Sequence, residues 1–123
     1  MKNLFIFLGL CLAGFAAYYN SSKPQKIDYS TQIKPILNKN CISCHGGVIK
    51  QGGFSLLFQE EALGKTKSGR PAIIPGHPEQ SSFIQRLHSQ DPEEKMPYQR
   101  PALSEAEIEL LTTWVKEGAN WGE

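Results

Sequence analysis

The sequence predicts a small all-α domain in which short helices are joined by long loops. Three observations carry that expectation. Apolar residues recur at helical spacing in three stretches, 29–40, 81–89 and 104–117. The connections between them, 46–53, 64–76 and 91–101, are rich in Gly and Pro and show no convincing strand alternation. Only Phe54 to Phe58 suits a short extended segment. The first helical stretch also runs into Cys41-Ile42-Ser43-Cys44-His45, a cluster of ligand-bearing side chains with very little sequence between them.

Taken in order, residues 1–19 differ from all that follows. Lys2 and Asn3 give a short polar start, Leu4 to Ala17 is uncharged and rich in Leu, Phe and Ala, and Gly14-Phe15-Ala16 offers a small-x-small cleavage site. That is the layout of a secretory signal peptide. As a membrane anchor the run falls short of the roughly 20 residues that span the hydrocarbon core, although Tyr18 and Tyr19 would suit an interface. Cys11 reads as an apolar residue of this leader. Residues 20–28, with Ser21, Ser22 and Pro24, read as a linker, and 29–121 as the domain proper.

In the first helix, Tyr29, Ile33, Ile36 and Leu37 share one face, Asp28 or Ser30 caps the start, and Pro35 is expected to bend the backbone. The second places Phe83, Ile84 and Leu87 on one side. The third begins with the capping box Ser104-Glu105-Ala106-Glu107, with Leu103 stapling to Ile108. Ile108, Leu111, Trp114 and Val115 form its buried stripe, and Gly118 ends it.

C-x-x-C-H is the attachment pattern of a c-type haem. Two thiols at this spacing add across the two vinyl groups of one porphyrin edge, and the adjoining His45 reaches the iron as an axial ligand. One haem c per chain would supply the core that the long loops lack. A zinc site would need two further ligands, for which only the widely separated His77 and His88 are candidates. A Cys41–Cys44 disulfide is sterically possible. Export and haem attachment support each other, because covalent attachment in bacteria takes place outside the cytoplasmic membrane.

For the sixth ligand the sequence offers Met96, the one methionine besides the initiator, in Lys95-Met96-Pro97-Tyr98-Gln99-Arg100-Pro101. Pro97 and Pro101 stiffen that loop, and a Met/His pair raises the haem potential, which suits electron transfer. His77, in the turn Pro75-Gly76-His77-Pro78, and His88, at the end of the second helix, are the alternatives. An open sixth position would mean gas binding or peroxide chemistry, and no distal base stands out for it.

Charge excludes little but is informative on one point. Lys+Arg minus Asp+Glu is 13 − 12 = +1, and losing Lys2 with the leader gives 12 − 12 = 0, so nothing suggests a nucleic-acid partner. Lys39 and Lys50 flank the haem motif and read as a solvated rim.

From about Tyr29 to Trp121 the chain resembles the planctomycete-type cytochrome c domain of the cytochrome c-like superfamily. The resemblance rests on Ile33-Lys34-Pro35-Ile36-Leu37 before the C-x-x-C-H run, Gly46, Gly52-Gly53-Phe54-Ser55-Leu56, and Ile73 to Ser81. Met96-Pro97, Leu103-Ser104 with Glu107-Ile108, and Trp114 to Trp121 complete it. It implies haem held by Cys41 and Cys44, with His45 proximal and Met96 distal. The leader and the haem motif together place the carrier in the periplasm or otherwise outside the cytoplasm, with residues 1–19 either cleaved as a signal peptide or retained as an N-terminal membrane anchor. Tyr98 departs from the second Pro common after Met-Pro, and many members continue into larger domains. The expected function is single-electron transfer by a monohaem cytochrome with redox-protein partners, and no catalytic residues. The alternatives are a haem module feeding a larger oxidoreductase complex, and a haem sensor or peroxidase with a labile sixth ligand.

Overall fold

The computed structural model describes residues 25–122, so the leader and most of the linker lie outside the described residues. The chain enters through a wide helical turn, Tyr29–Ile33, that continues into α1, Lys34–Asn40. Asp28 caps this entrance, its Oδ1 accepting from the Thr31 amide at 2.8 Å and the Thr31 hydroxyl at 2.6 Å. Those two bonds hold the Asp28 carboxyl below the usual carboxylate range. The widened turn falls immediately before Pro35, which has no N–H to close an ordinary α-turn.

After α1 come β1 (His45–Gly46), β2 (Ile49–Lys50), α2 (Gln59–Ala62), α3 (Ser82–His88) and α4 (Glu105–Lys116). The all-α expectation is therefore overturned. The domain is small and mixed, four α-helices with a two-stranded antiparallel sheet pairing His45 with Lys50 and Gly46 with Ile49. Gly47 creates the sheet. At φ +56° it takes the first corner of a two-residue hairpin, a place where the strand twist demands positive φ. An ion pair from Lys50 to Glu61 of α2 ties the hairpin down. Phe54 to Phe58 is irregular rather than a strand, and α2 follows it directly.

α4 organises the core. Ser104 Oγ accepts from the Glu107 amide at 3.2 Å, and Glu107 Oε2 accepts from the Ser104 amide at 2.9 Å, so the capping box is complete. At the other end Ala119 N–H donates to Trp114 O at 2.9 Å and Gly118 N–H to Val115 O at 3.0 Å, with Gly118 at φ +105°. This is a Schellman closure, and the buried Ala119 returns the chain onto Trp114. Leu111, Trp114 and Val115 are buried, with Ile108 at the margin of the core. They meet Ile33 and Leu37 of the first helical segment and Ile84 and Leu87 of α3.

Trp114, Trp121 and Tyr29 stack in one aromatic group, with Tyr29 and Trp121 centroids 4.8 Å apart, which joins the two ends of the domain. The Pro75–Ser81 segment is fastened by its own polar groups. The buried Ser81 hydroxyl accepts from the Ile74 amide and donates to the His77 carbonyl, both at 2.9 Å, while Gly76 N–H donates to Val115 O at 2.8 Å.

The Ser104 cap can be tested directly. Ser104→Ala should cost about 1 kcal/mol in denaturant unfolding, the usual value of an N-cap. Hydrogen bonds from the Ser104 backbone and side chain hold the Glu107 carboxyl below its ordinary range. Its contribution is thus present above the unfolded carboxylate pKa and disappears as pH falls through the lower folded value. The gap between Ser104→Ala and the parent should narrow in acid.

Candidate cofactor site

The thiol loop continues the helical path of α1. Cys41 N–H donates to Leu37 O at 2.9 Å, and His45 N–H to Cys41 O at the same distance. One turn of backbone therefore carries both cysteines and the histidine, which is what the three-residue spacing of the thiols requires. Cys41 and Cys44 are free thiols, Cys41 half-buried and Cys44 exposed. Burial, with the Cys44 thiol adding to it, pushes the Cys41 thiol up to about 12, so the folded chain holds it neutral.

His45 is oriented from its far side. Its Nδ1 lies 3.3 Å from the Phe54 carbonyl, an acceptor, so the N–H sits on Nδ1 and Nε2 is left with its lone pair. Phe54 also packs its ring against the imidazole, with centroids 5.3 Å apart. The His45 carbonyl in turn accepts from Leu56 N–H at 2.6 Å. The hairpin thus holds the histidine from both directions, because Gln51 N–H also returns to Cys44 O at 3.0 Å.

Met96 belongs to a loop fastened at three points. Its amide donates to the Arg86 carbonyl of α3 at 3.0 Å, and the preceding Lys95 amide to Asp91 O at 2.8 Å. Further on, Arg100 Nη1 donates to Ser43 Oγ at 3.2 Å, which ties the methionine loop to the thiol loop across 57 positions.

Cys41, Cys44, His45 and Met96 all line one cavity of about 660 Å³, within the roughly 300–1,000 Å³ typical of ligand sites. Phe54, Leu56, Phe83 and Leu87 supply apolar wall, while Lys67, Arg86 and Arg100 bring positive charge. His77 and His88 are exposed and stand outside it. His77 caps the 3₁₀ turn Pro78–Gln80 with its Nδ1 3.3 Å from Glu79, and His88 closes α3. Among the described residues no three His, Cys, Asp or Glu gather in a way that would hold a metal ion, so the zinc alternative finds no ligand set.

Four residues of the site escaped the sequence reading as site residues. Phe54 acts on His45 through a backbone carbonyl, which no side-chain pattern discloses. Lys67, Arg86 and Arg100 come from three separate segments and meet only in the fold.

The donor set fits a covalently attached haem: two thiols on one turn, an imidazole with its outward nitrogen free, a thioether, and largely apolar walls. This is the make-up of a cytochrome c domain. Residues 41–99, from the first thiol to just past Met96, match the model of the family described as Planctomycete cytochrome C, which supports a planctomycete-type cytochrome c domain. Comparison with curated proteins and with solved structures gave no match. A cytochrome c domain is, at the coarse level, a haem-binding electron-transfer module, generally a carrier rather than an enzyme and typically extracytoplasmic. Among the described residues no helix is long and apolar enough to cross a membrane.

Proposed function

We propose that this chain is a monohaem c-type cytochrome that shuttles single electrons between redox proteins outside the cytoplasmic membrane. Cys41 and Cys44 hold one haem c through thioether bonds, His45 is the proximal ligand, and Met96 the distal one. What supports this reading above all is that these four side chains, drawn from segments 51 positions apart (96 − 45), line the same cavity while both other histidines stand outside it. Bound in that way, the haem supplies a one-electron ferric/ferrous couple.

The chain's own residues do the rest. The Phe54 carbonyl fixes the His45 tautomer and raises its basicity toward iron. Apolar walls keep water from the redox centre, and the Arg86 carbonyl anchors the loop that presents the thioether. Neither a proton nor a bond rearrangement is required of the protein, which is what a carrier needs.

The test is to express the full chain with a haem-maturation system and examine wild-type protein. Haem colour should persist through denaturing electrophoresis and resist acidified solvent, and it should disappear when Cys41 and Cys44 are both replaced by alanine. Haem extracted intact from the wild type would refute covalent attachment.

A further inference from the structure

The cavity carries a charge imbalance that neither the thiols nor the axial ligands explain. Three cations line it, Lys67, Arg86 and Arg100, and no Asp or Glu does. The chain as a whole is nearly neutral, 13 basic against 12 acidic residues, so a cationic lining free of carboxylates is a local feature. Among the described residues none of the three forms an ion pair. Such a lining matches an anionic ligand group, and a haem carries two carboxylates.

The three cations are not equivalent. Arg100 is bonded to Ser43, between the two thiols, and so would stand nearer the edge of a haem whose vinyl groups react with them. The carboxylates are carried by the other edge of the macrocycle. Arg86 gives Nη1 to the Glu94 carbonyl at 3.3 Å, while its own carbonyl holds the Met96 amide. It is committed to the methionine loop. Lys67 alone has no hydrogen-bond partner for its ammonium among the described residues.

Its position is nevertheless fixed. Thr66 N–H donates to Arg70 O at 3.0 Å and Gly69 N–H to Thr66 O at 2.9 Å, which closes the turn that presents Lys67. Lys67 N–H donates to Gly52 O at 2.9 Å, and the Lys67 stem lies over Gly53 so closely that a Cβ there would come within 3.0 Å of Lys67 Cγ. Gly53, at φ +71°, leaves room that any side chain would fill. The backbone and the base of the stem of this exposed lysine are thereby tied to the segment that leads into Phe54, the residue that orients His45.

We propose that the Lys67 ammonium binds a carboxylate of the haem, and that Gly53 is present to seat the Lys67 stem. This rests on the haem reading above and adds to it a positioning residue that tunes the redox centre. A cation beside a haem carboxylate keeps that group ionised and favours ferrous iron.

The experiment uses the holo-protein of the full chain and follows the midpoint potential across the neutral pH range, with infrared difference spectra of the carboxyl band. Wild type should keep a nearly flat profile. Lys67→Met should lower the potential and introduce a pH-dependent stretch in the neutral range, together with a protonated-carboxyl band, because the carboxylate loses its cation. Lys67→Arg should restore the flat profile. Lys65→Met, the same loss of charge two residues away and outside the cavity lining, should behave as wild type. A flat profile in Lys67→Met, or an equal effect from Lys65→Met, overturns the assignment. So does a pH-dependent profile appearing in Arg86→Met or Arg100→Met instead. Haem staining of the denatured wild type separates this outcome from failure of the haem reading itself, since without covalent haem the stain is absent in every variant.

Discussion

Met96→Ala should lower the reduction potential by on the order of 0.2 V, a fraction of the roughly 0.8 V over which axial ligands move haem potentials. For a one-electron couple each 59 mV is tenfold, so this amounts to more than a thousandfold shift in favour of ferric protein. The direction follows from the ligand. A thioether donates weakly to ferric iron, so a Met/His pair favours the ferrous state over water or a second imidazole. The same variant should lose the weak sulfur-to-iron charge-transfer band of the oxidised protein and bind carbon monoxide in the reduced state. His77→Ala and His88→Ala should leave all three properties unchanged, because both residues are exposed and outside the cavity. Carbon monoxide binding by the wild type as readily as by Met96→Ala would make a sensor or peroxidase the better reading and would remove the carrier function.

The anchoring of this loop bears on how sharply that result should appear. Met96 is held through its own amide to Arg86, and Pro97 behind it is buried. Removing the side chain therefore deletes a ligand without releasing the backbone. A loop held only by its methionine would respond by refolding over the site, and a histidine or lysine could then replace the lost ligand.

The haem motif and both ends of α4 were legible in the sequence because each depends on residues close together in the chain. The capping box spans Ser104 to Glu107 and the Schellman closure Trp114 to Ala119, so local chemistry specifies them completely. The wrong fold class has an equally local cause. Each strand is two residues long, too short for a period-two pattern to register, and the hairpin arises from Gly47 at positive φ. The four-residue α2 likewise buries only Ala62 and shows no stripe. What the sequence could not disclose is the assembly of the cavity. The Phe54 carbonyl, Lys67, Arg86 and Arg100 meet through loops whose course depends on backbone bonds such as Lys67 N–H to Gly52 O and Met96 N–H to Arg86 O. The distal candidate stands out in the sequence by its scarcity and its prolines, whereas its tether to α3 has no sequence signature.

Gly46→Ala should destabilise the domain by about 1–3 kcal/mol, the range of overpacked sites, and reduce the yield of haem-bearing protein. Gly46 follows His45 directly and pairs with Ile49 in the hairpin. A Cβ at this position would lie 2.8 Å from both Ile42 Cγ2 and the Ile42 carbonyl oxygen. The side-chain carbon could rotate away, but the carbonyl belongs to the backbone between the two thiols. Relieving the clash therefore means displacing either the loop that carries Cys41 and Cys44 or the strand that positions His45. Gly76→Ala, outside the cavity, is the informative control. Its φ is +82° with nothing within 4 Å of the added carbon, so only the backbone strain of a left-handed alanine, roughly 1–2 kcal/mol, should be felt. Chemical denaturation with haem quantified in each preparation distinguishes the two. Gly46→Ala should lose both stability and haem, and Gly76→Ala stability alone. If Gly46→Ala attached haem as completely as the parent, the close approach of Gly46 to Ile42 would have no part in shaping the attachment loop.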